Sequence, residues 1–168
     1  MKDYRIPKTA TDGMDDEDIV WAVIGPAWND LSLDQEDERG MTASLTPGQR
    51  GLIAVDWLSK EVYNGGIHQF FTNTTGVLTH EALEGFRLMG AKRYVDLLGT
   101  VVALFPEGKV PKGQAERQAA LALIPEQTRK RAFGKFDETF YSFMEVDEPI
   151  VPLCMRYLEA HPEEFFAG

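Results

Sequence analysis

Apolar positions recur at three- and four-residue spacings along most of the chain, the period of helices that bury one face. The first stretch, Ile19-Val20-Trp21-Ala22-Val23-Ile24, follows an acidic run of Asp12, Asp15, Asp16, Glu17 and Asp18. Carboxylates in a first turn offset the positive end of the helix dipole, so this run marks a helix start. Gly25-Pro26 is expected to stop or kink that helix, with Trp28 and Leu31 closing the segment onto the core. Thr46, Pro47 and Gln49 read as a capping box with proline in the first helical position. Leu52, Ile53, Val55, Trp57, Leu58 and Val62 come next as a broad apolar face. Further periodic runs cover 78–89, 94–105, 114–124, 125–133, 136–144 and 150–158, and Gly134 is expected to separate the helix over 125–133 from the one over 136–144. Pro162 leaves room only for a short terminal turn carrying Phe165 and Phe166. Alternating strand patterns, internal repeats and low-complexity blocks are missing. The pattern predicts an all-α, single-domain orthogonal bundle of about seven to nine helices over 15–168, preceded by an extended or mobile arm over 1–14.

One decapeptide interrupts the periodicity: Asn64-Gly65-Gly66-Ile67-His68-Gln69-Phe70-Phe71-Thr72-Asn73. Glycine just past an apolar helical run reads as a C-cap, and two in succession let the backbone reverse. Phe70 and Phe71 are too apolar to be left in water. The expectation is a buried helix–turn–helix corner, with Asn64, Gln69 and Asn73 hydrogen-bonding backbone groups freed by the turn. The same residues, with His68, mark the alternative of a small-ligand or enzymatic pocket at the corner.

Charge changes the picture more than composition does. The 168-residue chain carries a formal net charge of −10, which disfavours direct nucleic-acid binding and favours a basic partner. The charge is segregated: residues 1–40 carry −7, residues 41–136 carry +4 and residues 137–168 carry −7. If the two acidic ends meet in space they form one stripe, with Asp15, Asp16, Asp18, Asp34, Glu36, Asp37, Glu145, Asp147 and Glu148 as its candidates. The other reading of such runs is a solvated face that serves solubility. Cys154 is the single cysteine, so no internal disulfide forms. Without a signal-type or bilayer-length apolar run, the expected location is cytoplasmic.

Catalytic patterns are not found. His68, His80 and His161 form no metal-ligand spacing. Gly108-Lys109-Val110 lacks the hydroxyl residue of a phosphate loop. Cys154 sits among Ile150, Val151 and Leu158, which cannot activate a thiolate. No catalytic residue, metal or cofactor is expected.

The motif Asn-Gly-Gly-x-x-Gln-Phe-Phe-x-Asn, with Gly76, Ala82-Leu83 and Gly90-Ala91 after it, resembles a bacterial family named after a neisserial DNA mimic protein. The likeness covers about 46–166. It implies an all-α acidic fold and, as one described role, carboxylates presented like DNA phosphates to a DNA-binding protein. The resulting expectation is an acidic non-catalytic binding protein whose partner is a basic DNA-binding protein such as a transcription factor or nucleoid protein. Trp28 and the Phe165-Phe166 tail are candidates for a subunit contact, in a monomer or a homodimer.

Overall fold

A computed structural model describes residues 2–31 and 43–168. Seven α-helices occur among these residues: α1 (Asp16–Asp30), α2 (Pro47–Thr72), α3 (Thr79–Leu88), α4 (Lys92–Val102), α5 (Gln114–Leu123), α6 (Glu126–Ser142) and α7 (Ile150–Ala160). The all-α bundle is the fold that the periodicity predicts.

The bundle is built around α2, which packs against α1, α3, α5, α6 and α7. The capping box starts this helix. Thr46 Oγ1 accepts from the Gln49 N–H at 3.1 Å, and Gln49 Oε1 accepts from the Thr46 N–H at 3.2 Å. Leu52, Ile53, Val55, Leu58 and Val62 are buried along α2, as are Ile67, Phe70 and Phe71 beyond its bend. Its crossing with α3 is so close that no side chain fits between. A Cβ at Gly85 would stand 2.5 Å from the Gly51 carbonyl oxygen, and one at Gly51 would stand 2.7 Å from the Gly85 Cα. Both obstacles are backbone, so no rotamer change relieves them. Gly85→Ala is expected to lose about 3 kcal/mol or more, the upper part of the overpacking range. An unchanged urea midpoint for this variant would show that the crossing tolerates a methyl group.

The helix boundaries follow the expectation only in part. α1 continues through Gly25 and Pro26 to Asp30. The proline ring is exposed, and the glycine before it has no Cβ to clash with the ring, which lowers the usual bar to helix at that position. Val23, Ile24 and Ala27 are buried on either side of the proline, and Trp28 stacks on Trp57 with centroids 4.5 Å apart and planes 4° apart. Gly134 does not divide α6. A mid-helix glycine costs about 1 kcal/mol, whereas each buried phenylalanine contributes about 1.5–3 kcal/mol. Phe133, Phe136 and Phe140 line one buried stripe that Phe143 extends into an adjoining π turn, Phe143–Asp147. At the double glycine the helical conformation breaks, as expected, with Gly65 and Gly66 outside helical φ/ψ; the difference is that Ile67–Thr72 returns to helix at once where a longer turn was expected.

The chain ends are also tied down. Within 1–14, expected to be an extended or mobile arm, Ile6–Pro7 forms β1, which pairs in parallel with β2 (Phe166–Ala167). Ile6 N–H donates to the Phe165 carbonyl at 3.0 Å. The Glu164 carboxylate accepts from the Gly48 N–H and, at 2.7 Å, from the Tyr157 hydroxyl, so the tail braces the start of α2. Phe165 is fully buried and Phe166 nearly so. The tail packs within its own chain.

Candidate functional site

Two carboxylates meet at the bend in α2, half-buried Asp137 and buried Glu61. Gly66 has φ +79°, a left-handed conformation that glycine adopts without penalty. The amide released there, Ile67 N–H, donates to Asp137 Oδ1 of α6 at 2.8 Å. Burial raises the Asp137 carboxyl above its usual range, against the lowering effect of that hydrogen bond. A Cβ on Gly66 would collide with this carboxylate. One turn before the bend, Glu61 is 8% exposed. Its carboxylate accepts from Gln69 Nε2 at 2.6 Å, Asn73 Nδ2 at 3.1 Å and Thr75 Oγ1 at 2.9 Å. The amides of Gln69 and Asn73 therefore serve a carboxylate, where backbone partners were expected, and Asn64 is exposed.

The last carbonyls of α2 are satisfied from α5 instead. A helix end leaves its final carbonyls without partners and carries negative partial charge. Arg117, fully buried, donates to the carbonyls of Phe71 at 2.7 Å and Asn73 at 2.6 Å, and also to those of Pro111 at 3.0 Å and Lys112 at 2.7 Å. Gln114 and Gln118 donate to the Thr72 carbonyl at 3.0 and 2.9 Å. Burial pushes the Arg117 guanidinium down to about 10, so it remains a cation at neutral pH. Asn73 joins the two charges, donating through its amide to Glu61 while its carbonyl accepts from Arg117. Glu61 and Arg117 are absent from the sequence-derived candidates. Their signal was positional: Glu61 falls on the stripe of Ala54 and Leu58, and Arg117 on that of Ala120 and Leu121. With its donors engaged in this way, the bend reads as architecture.

The predicted acidic residues divide into groups. Asp34, Glu36 and Asp37 lie outside the described residues. Asp15 is the N-cap of α1, accepting from the Asp18 N–H at 2.9 Å, and Asp16, Glu17 and Asp18 fill the exposed first turn. At the other end, Glu145 and Asp147 are exposed on the π turn after α6. Asp147 pairs with Arg93 at 3.5 Å and accepts from the Ser142 hydroxyl at 3.1 Å. Glu148 is half-buried, its carbonyl accepts from the Tyr94 hydroxyl at 2.7 Å, and its Oε2 is buried with no hydrogen-bond partner among the described residues. It faces inward more than outward.

A cleft of about 290 Å³ lies between the first turn of α1 and the segment after α6. Glu17, Val20, Leu52, Val55, Asp56, Lys60, Tyr63, Met144, Ile150, Val151 and Cys154 contribute to its walls. Glu17 from the first acidic run and Met144, next to Glu145, thus face one hollow. Burial raises the Tyr63 phenol, and the Glu145 carboxylate adds to the shift. Cys154 forms part of the floor at 3% exposure, and burial pushes its thiol up to about 12, which leaves it without nucleophilic character at neutral pH. Elsewhere, His161, Glu163 and Glu164 bring ligand-type atoms within 4.8 Å of one another, but both Glu164 oxygens already hold Gly48 and Tyr157. Among the described residues no helix is long and apolar enough to cross a membrane.

The family model described as DMP19-like protein matches residues 43–161, most of the 168-residue chain. This chain belongs to the DMP19-like protein family. The DMP19-like stretch contains the bend, Glu61, Arg117 and the acidic π turn, while α1 with Asp15, Asp16 and Asp18 lies before it. No curated protein and no solved structure matches the chain.

Proposed function

We propose that this DMP19-like protein is a non-catalytic binding protein that offers an acidic face to a basic, DNA-binding partner and competes with DNA for it. The observation that supports this reading is the shared cleft: Glu17 from the acidic start of α1 and Met144, the neighbour of Glu145 in the turn after α6, both line it. Duplex DNA presents a charge about every 1.7 Å of its axis, and its binding proteins gain affinity by releasing counterions. Carboxylates gathered on one face offer a basic groove a comparable potential. Asp15, Asp16, Asp18, Glu145 and Asp147 are the contact residues of this proposal, with Glu148 supporting the turn. The family resemblance to a DNA mimic points the same way.

The test is retention of the heparin-binding proteins of a bacterial lysate on the immobilised chain. Bound protein should be released by duplex DNA, and retention should fall steeply between about 50 and 200 mM salt. The triple variant Asp15→Asn, Asp16→Asn, Asp18→Asn should retain markedly less. Retention indifferent to both duplex DNA and salt would refute the reading.

A further inference from the structure

We propose that the cleft between α1, α2 and α7 receives an aliphatic side chain from a basic amphipathic helix of the partner. Recognition then combines an apolar anchor with an acidic frame. The inference rests on the reading above and specifies the chemistry of the partner.

A surface that copied phosphates alone would need spaced carboxylates and no hollow. Here the hollow is floored by Leu52, Val55, Ile150, Val151 and Cys154, and its rim carries Glu17 and Asp56. Glu17 is the uncompensated charge of the lining, because Asp56 pairs with the one cation that lines the cleft among the described residues, Lys60. Its Nζ lies 2.7 Å from Asp56 Oδ2 and 4.4 and 5.0 Å from the ring centroids of Trp21 and Trp28. The remaining negative charge disfavours anionic amphiphiles such as fatty acids. At about 290 Å³ the cleft sits at the lower edge of the roughly 300–1,000 Å³ usual for small-molecule sites, a size suited to side chains. Tyr63, which lines the cleft, is 49% exposed; Trp21, whose ring lies under the Lys60 ammonium, is 42% exposed, and Val146, between Glu145 and Asp147, 76%. A hydrophilic polycation would leave these groups wet. A helix with leucines at i, i+3 or i+4 and lysines on its flanks matches both the floor and the frame.

Three fluorescent probes test this by anisotropy at one ionic strength: an amphipathic leucine–lysine peptide, the same composition scrambled to remove the apolar face, and an oligolysine of equal charge. The amphipathic peptide should bind at least tenfold more tightly than the scrambled one. Val151→Phe, which fills the cleft from a position on its wall, should abolish that advantage and leave oligolysine binding unchanged. If Val151→Phe does not fold, Val20→Phe serves the same purpose. Equal binding of the amphipathic and scrambled peptides, or indifference to the filled cleft, overturns the proposal while oligolysine binding keeps the basic-partner reading. If no cationic probe binds, both fall. Self-association seen by light scattering and lost in Val151→Phe would overturn it too, giving the cleft to a second copy of this chain.

Discussion

Arg117→Met is expected to be the most damaging single substitution away from the helix crossings. The guanidinium is fully buried and donates to carbonyls of Phe71, Asn73, Pro111 and Lys112. Methionine keeps much of the volume and removes every donor. Hydrogen bonds from a charged group contribute about 1.5–3 kcal/mol each, so even with water recovering half of the four the loss is about 3–6 kcal/mol. Arg117→Lys should fall between, because an ammonium reaches fewer of these carbonyls than the planar fork does. Gly76 sets a further limit, since a Cβ there would run into Arg117 itself. Urea unfolding of the three proteins checks the order. A loss below about 1 kcal/mol for Arg117→Met would mean that the α2 terminus finds other partners.

Glu61→Gln should come next at about 2–4 kcal/mol, because it replaces an acceptor of charge-assisted hydrogen bonds by a neutral amide. Gln69, Asn73 and Thr75 all donate to the carboxylate. The new amide would turn its own N–H₂ toward at least one of these donors. Gln69→Ala should cost less, because Asn73 and Thr75 still satisfy the carboxylate. Equal midpoints for Glu61→Gln and the parent chain would show that the carboxylate's charge contributes nothing to the bend.

Local chemistry was legible in the sequence, and pairings between distant segments were not. The Thr46–Gln49 capping box and the acidic start of α1 involve residues three apart, so their types alone disclose them. Gly134 misled because a local breaker outweighed a longer pattern: Phe133, Phe136, Phe140 and Phe143 keep one face across it. The double glycine announced a bend but hid the return to helix beyond it, which depends on Asp137 taking the freed Ile67 amide from 70 positions away. The partners of the helix end were hidden for the same reason, as Arg117 meets Phe71 across 46 positions. At the cleft, the charged runs flanking it could be read directly. Val20, Leu52 and Ile150, however, share the period of core residues, and only the folded chain separates a hollow from a filled interior.

The Trp28–Trp57 stack has a consequence for how recognition can change. It clamps α1, which precedes the family-matched stretch, against α2, which lies within it, and Trp28 Nε1 adds a hydrogen bond to Asp56 at 3.0 Å. One jaw of the cleft therefore belongs to the family body and the other is bolted on by an indole pair. On the proposed reading, exchanging the bolted jaw would retune the choice of partner and leave the charged knot under the bend untouched.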